Sequence, residues 1–461
     1  MHSAGHTLRL TSSSASGSRQ WTWLLLLTIL LCNSIFAGEQ PLILNLEKQD
    51  SVSLTEYFGI LEDPADKLTF SDVIQPAQAA RFTSGQQPGA SLIYGFTRSA
   101  YWLRLRVQNP YDHPIERLLE INYARLADVQ LHKLNPGAEP EHWLTGTNMP
   151  FVTRPYANRG FVFPVTLAPH TEHTLYLKVR AVAALEIPAK LWEPKAFHIY
   201  ERADYVSYSI YSGMALAMVI FNLLVYALLR EIMYLLYVFF VTCFAVTLAA
   251  QNGLANEFLW PNSPTISNYS LAVGYSMTLA TLLLFTRRML NTDRMVPRID
   301  KLMKLLVVLF LLSPVGFVVA YQKIIPLATL LNVFSSSLIL GVGIYCAWKR
   351  QRSAYIFVAA FLVICTASPI NSARVAGLLP TNMFTVNGLQ IGSAIEMILL
   401  AYALADRFNM ARREKEQAQM ESLKAQQLLV QNLLTSERLL EEQVKQRTEE
   451  LLEKNRELEK L

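Results

Sequence analysis

The sequence predicts a membrane protein in three parts: an exported all-β, jelly-roll-like sandwich, a bundle of seven transmembrane helices, and a cytoplasmic coiled-coil helix. Three observations predict it. Of 461 residues, 52% are hydrophobic and only 17% charged, where a soluble domain is roughly a quarter charged. Short alternating runs punctuated by Pro, Gly and Asn fill residues 41–201. Beyond Arg202, long apolar segments follow one another, and the last stretch has neither Gly nor Pro. This balance excludes a wholly soluble enzyme and a disordered chain, and a net charge of +5 gives no nucleic-acid footprint.

The N-terminus reads as an export signal over residues 1–37. Arg9 and Arg19 precede an apolar run from Trp21 to Leu31, and small residues end near Ala37, the order of a positive region, a hydrophobic region and a cleavage site. An uncleaved anchor is the alternative, and both place Gly38 outside the membrane. The exported stretch 38–202 has no cysteine, so it carries neither a disulfide framework nor a thiolate metal site. Its strands are read from alternation at 101–107, 128–134, 161–167 and 174–180, each ended by Asn-Pro, Pro-Gly or similar turn residues.

The membrane part is read as 203–405. A spanning helix needs roughly 20 apolar residues, and seven segments qualify: 206–229, 232–250, 267–285, 302–320, 325–348, 355–377 and 384–405. Pro369, Asn371 and Arg374 interrupt the end of the sixth. Loop charge sets the orientation. Loops on one side hold Arg230, then Arg287, Arg288, Arg294, Arg298, Lys301 and Lys304, then Lys349, Arg350 and Arg352; the other side holds only Lys323 and Arg374. The basic side is cytoplasmic, with the β-sandwich outside and the C-terminus inside.

Residues 406–461 read as one long helix. With Val430 at heptad position a, Leu433, Leu440, Val444, Leu451, Leu458 and Leu461 fall at a or d, while Glu437, Arg447 and Lys454 break the seam. An apolar repeat over more than three heptads predicts a parallel coiled coil, hence a homodimer.

A set of stretches in order resembles the bacterial seven-transmembrane receptors with diverse intracellular signalling modules. In the membrane half these are Tyr211-Ser-Gly-Met214, Asn222-Leu-Leu-Val-Tyr226, Arg230 with Tyr234-Leu-Leu-Tyr237, Gln251-Asn-Gly253 and Leu259-Trp-Pro261. Thr286 to Thr292, Val296 to Asp300, Gly388 to Ser393 with Glu396, and Ala403 to Arg407 continue the series. In the β-part, Ser99 to Arg104 with Asn109, Thr145-Gly146, Arg154-Pro155, Arg159 and Phe161 to Pro164 are similar to the family's extracellular sensory module. Leu440 to Val444 with Arg447-Thr448 is similar to linkers that feed histidine kinases and diguanylate cyclases.

The resemblance implies a signalling receptor that senses a small polar ligand, a carbohydrate or calcium outside and relays the event to a cytoplasmic output protein or domain, through a two-component or cyclic-di-GMP pathway. No enzyme is expected in the chain. All eight histidines lie at or before His198 and the last glycine is Gly392, so the cytoplasmic part offers no phospho-accepting His and no glycine-rich phosphate loop. A sensor kinase or cyclase lacking its catalytic domain is the alternative. A transporter is the rival of another class, but no paired broken helices are evident. A retinal protein needs a Lys in the last span, and 384–405 has none.

Candidate ligand residues are Trp102, Arg104, Arg125, Trp143, Arg154 and Arg159, since aromatic faces stack on sugar rings and Arg pairs with anions. Trp102 as a sandwich-core filler is the alternative. The acids Glu47, Asp50, Glu56, Glu62, Asp63, Asp66 and Asp72 lack the compact spacing of a calcium loop, and no other cofactor is expected. Candidate signalling residues are Glu396, Asn222, Arg230, Asp406 and Arg407. A carboxylate in mid-span faces a bundle interior, and a Glu396 latch to Asn222, Asn332 or Asn387 is expected. Reporter fusions test the topology: activity outside at Pro110 and inside after Arg413 is expected, and an internal signal at Pro110 would refute the architecture.

Overall fold

In the computed structural model, which describes residues 41–45, 50–84, 91–135, 139–181, 184–375, 379 and 383–458, Ala100–Asn109 is a ten-residue strand. Its period of two sends Leu103, Leu105 and Val107 into one buried cluster and Trp102 into another. The signal segment 1–37 and Glu47 lie outside the described residues.

The strand sits within a seven-stranded sheet. The order is Thr83–Ser84, Gly59–Asp63, Ala100–Asn109, Thr171–Ala181, Leu126–Leu134 and Glu141–Thr145, with Leu42–Ile43 pairing in parallel to Ala100–Asn109. A four-stranded sheet of Phe161–Leu167, Ile115–Ile121, Ala189–Trp192 and Ser51–Ser53 faces it. Leu103, Leu131 and Val179 of the first meet Leu119, Phe163 and Val165 of the second in one core, which makes a sandwich. The other face of the larger sheet is also covered. Leu61, Val73, Trp102 and Tyr176 pack there against Leu68, Phe70 and Phe82, and a capping box between Thr69 and Asp72 starts the short turn Phe70–Val73 under which Trp102 lies.

The helices are α1 Pro194–Leu229, α2 Ile232–Gln251, α3 Pro264–Leu290, α4 Pro297–Tyr321, α5 Lys323–Trp348, α6 Arg352–Val375 and α7 Gly388–Leu458. Helical backbone runs from α4 into α5 except at Ala320, whose φ −149°, ψ 55° breaks it. Six of these helices are long and apolar enough to cross a membrane, by length and composition. The exception is α6. Among the described residues its apolar run covers Arg352–Ala367; the expected span is 355–377, whose last two residues lie outside the described residues, and Pro369 lies inside the helix beyond that run. Phe240, Phe285, Phe310 and Phe357 fill the bundle core, while Leu216, Val318, Val319 and Leu330 point outward. Cys243, Cys346 and Cys365 are free thiols in this bundle.

Asn109 ties the sandwich corner. Its buried amide donates to the carbonyls of His113, Leu167 and Ala168 at 3.0–3.1 Å and accepts from Tyr111 N–H at 3.0 Å. Asn109→Ala leaves those groups without partners, so a loss of roughly 2–3 kcal/mol is expected. Thermal or denaturant unfolding of the full-length protein measures it, and an unchanged stability would contradict this account.

Candidate functional site

The six candidate ligand residues do not converge on one site. Trp102 is fully buried, with Lys178 Nζ 5.5 Å from its ring centre. It fills the small core cluster on the outer face of the larger sheet, a core filler as in the alternative, though not between the two sheets. Arg104 closes the same cover, donating to Ala79 O at 3.1 Å and lying over the Phe82 ring at 4.4 Å. Trp143 meets Phe163 edge-on at 6.3 Å. Arg125, Arg154 and Arg159 lie elsewhere, where the β-domain meets the bundle. The acids on the cover have partners of their own: Asp63 accepts from Leu68 N–H at 2.8 Å, and Asp66 pairs with Lys178 at 2.7 Å. Among the described residues, no three His, Cys, Asp or Glu side chains gather as a metal site would require.

The junction is built on Arg159. The turn after Arg154-Pro155 carries its guanidinium to α1, where Nε donates to Asp204 at 2.6 Å and the group lies over the Tyr208 ring at 4.8 Å. Nη1 reaches Asn252 O at 3.2 Å, in the loop after α2. Burial works against the charge, but Tyr208 and Asp204 hold this guanidinium above its ordinary value. The Tyr205 hydroxyl accepts from Arg159 N–H at 3.0 Å and donates to Glu257 at 2.6 Å. Asn158 and Tyr156 both donate to Glu201 on α1, at 2.7 and 2.8 Å.

Gly253 explains the Gln-Asn-Gly stretch. Its φ is +85°, and a Cβ there would sit 2.5 Å from Arg159 O and 2.6 Å from Ala124 Cβ, so only glycine lets the loop come this close. A second contact lies further along the loop. Phe151 N–H donates to Pro261 O at 2.8 Å, and Asn268 on α3 exchanges hydrogen bonds with Thr147 and Asn148. Arg125 is within electrostatic reach of Tyr275 and Tyr321 at the same end of the bundle.

Glu396 on α7 is buried among helices, 1% exposed, and among the described residues its Oε2 has no hydrogen-bond partner. The expected latch to an asparagine is not made. Asn222 donates to Met218 O of its own helix, while Asn332 Oδ1 and Asn387 Oδ1 are themselves unpartnered. Tyrosines flank Glu396 instead. The Tyr211 hydroxyl of α1 meets Ser393 Oγ at 3.0 Å, and Tyr237 of α2 donates to Met397 O at 2.6 Å. Sequence reasoning saw Tyr211 and Tyr237 only inside larger stretches; their spacing from Glu396 in the chain hid the contact.

At the far end, Arg407 donates to the carbonyls of Arg288 and Met289 and to Asn291 Oδ1 at 2.9 Å. These are end groups of α3, which a helix leaves without internal partners. Asp406 pairs with Arg352 at the start of α6, at 3.2 Å. Arg230 ends α1 in the left-handed region, φ 57°. Beyond Asn409 every described residue is exposed, including the seam residues Val430, Leu433, Leu440, Val444, Leu451 and Leu458.

Residues 204–407 match the family described as 7TM diverse intracellular signalling, and residues 55–193 match the one described as 7TMR-DISM extracellular 2. No curated protein matches the chain.

Glu120 makes the junction pH-dependent. It is buried, accepts from Trp192 Nε1 at 2.7 Å, and lies opposite Lys190 and Val162 on neighbouring strands, with Arg159 and Asp204 in electrostatic reach. Burial pushes its carboxyl up to about 7 from 4.5. The folded state therefore keeps a proton that the unfolded chain releases near 4.5. That contribution is fully present below pH 4.5 and is lost as pH rises through about 7, on the order of 3 kcal/mol. Unfolding at a series of pH values is expected to show this fall in wild type and a flatter profile in Glu120→Gln; identical slopes would refute the assignment.

Proposed function

We propose, from the premise that the chain belongs to the bacterial seven-transmembrane receptors with diverse intracellular signalling, that it is a dimeric inner-membrane receptor driving an output module through α7. The β-domain is its periplasmic sensor. A change there reaches α1 through Arg159–Asp204 and the α2–α3 loop through Asn252 and Pro261. Tyr211 and Tyr237 then pass it to α7 beside Glu396. All seven helices cross the bilayer, α6 included despite Pro369, which a span tolerates when neighbouring helices satisfy the freed carbonyl. The output module is a kinase or cyclase, in the same polypeptide or on a separate chain.

The observation that carries this reading is α7 itself, one helix from Gly388 to Leu458. Its 71 residues span about 106 Å at 1.5 Å per residue, so rotation inside the bundle is delivered undamped far beyond it. The exposed leucine seam supports a second copy alongside, because a long apolar stripe is unstable in water. Polar residues in that seam keep alternative registers within reach of a modest bias.

An insertion pair tests the relay. Four residues added after Arg413 turn the seam by about 40°, and seven by about 20° the other way, at 3.6 residues per turn. With a reporter kinase fused after Leu461, the four-residue insertion is expected to lock or invert output and the seven-residue insertion to preserve it. Equal output from both would make the tail a passive tether.

A further inference from the structure

Where the β-domain meets the α2–α3 loop there is a narrow crevice, open to solvent, with about 230 Å³ of empty space including its mouth. Met149, Phe151 and Arg154 form its β-domain wall, and Trp260, Pro261 and Ser267 the wall belonging to the bundle. The two walls touch through the Phe151–Pro261 hydrogen bond. In this packing the free space admits little more than a water molecule.

Arg154 is the unusual member. It is 8% exposed, yet among the described residues its guanidinium is in no ion pair. Its hydrogen bonds all leave from Nη1, to the carbonyls of Asn158 and Gly160. Its faces lie against the Phe151 and Phe161 rings, at 4.7 and 4.5 Å. Nε and Nη2 are left without a described protein acceptor. The carboxylate with the strongest pull on it, Glu257, already accepts from Tyr205 at 2.6 Å. Burial lowers this guanidinium to about 10, consistent with a positive charge that carbonyls and rings only partly offset. By contrast Arg159, close by, has Asp204 at 2.6 Å. Glu257 acts on it only at a distance; a buried cation with no direct ion-pair partner among the described residues is costly, and the N–H groups at Nε and Nη2 match the two oxygens of a carboxylate.

We propose that this crevice binds a small carboxylate with an apolar body, its oxygens on Arg154 and its body between Phe151 and Trp260. The proposal rests on the receptor reading and gives the sensor its ligand class and place. Anything larger than water must part the two walls, so binding and separation of the β-domain from the loop are one equilibrium. A ligand that fits only the parted form shifts the population toward it. The loop between two spans then moves with the sensor.

The test uses the full-length protein in nanodiscs, with benzoate as probe, benzamide as its uncharged counterpart, and acetate and phosphate as anions without the apolar body. Benzoate is expected to raise the unfolding temperature and benzamide to leave it unchanged, with acetate and phosphate weaker than benzoate. Arg154→Gln is expected to weaken benzoate on the order of tenfold to a hundredfold, the range for a charged hydrogen-bond partner. Because that variant removes two structural bonds, Ser267→Phe provides the second arm: it fills the crevice from the bundle side, leaves Arg154 in place, and is expected to abolish the benzoate shift. The proposal is overturned if no anion shifts the protein, if benzamide matches benzoate, or if Ser267→Phe leaves the shift intact. The insertion pair in α7 needs no ligand, so it judges the receptor reading separately.

Discussion

The buried guanidinium of Arg159 is the constraint on which the join between sensor and bundle depends. Taking it out of water costs several kcal/mol, and the pairing with Asp204 offsets that cost only in the docked arrangement. Such a pair adds little net stability over an apolar contact, but losing one partner costs roughly 3–5 kcal/mol. It therefore specifies a position more than it strengthens one. Around it, the Tyr205 hydroxyl accepts from the Arg159 backbone N–H, the Asn252 carbonyl accepts from the guanidinium itself, and Gly253 leaves the space in which the loop can approach.

The opposite end of the bundle is held by a related device with a second role. Arg287 and Lys304 converge with Thr292 on Asp300, at 2.7–3.2 Å, and Arg407 caps the end of α3. These cations belong to the excess that orients a chain in the membrane. Here they also satisfy carbonyls and carboxylates that the ends of helices leave exposed. A topological signal and a structural collar are made of the same side chains, so composition alone shows only the first.

The class of fold was legible because it rests on periodicity. Strands at 161–167 and spans such as 232–250 follow from period two and from apolar length, and the structure places strands and helices there. The sixth helix was less legible, since a proline such as Pro369 is tolerated in a span only when neighbouring helices satisfy the freed carbonyl. Site residues were legible by type but not by role. Arg154 and Arg159 stood out as cations in a β-rich stretch, yet nothing local tells that Asp204, 45 residues on, lies under Arg159. Trp102 looked like a platform because the Phe70–Val73 turn that covers it is far away in sequence. Glu396 was conspicuous as a carboxylate in a span; its tyrosine neighbours on α1 and α2 are contacts that only the packing creates.

What α7 can do follows from how unevenly it is held. Within the bundle its grip is specific: Tyr211 to Ser393, Tyr237 to Met397, and Arg407 to the end of α3. Beyond Asn409 its described side chains are exposed, the apolar seam among them. A rod gripped at one end and free at the other converts a small rotation at the grip into a change of facing residues along its whole length. Glu396 sits inside the grip, with Oε2 unpartnered among the described residues. The polar interruptions Glu437, Arg447 and Lys454 keep the free end from committing to a single partner face. On the proposed receptor reading, the grip would select the state and the seam would report it.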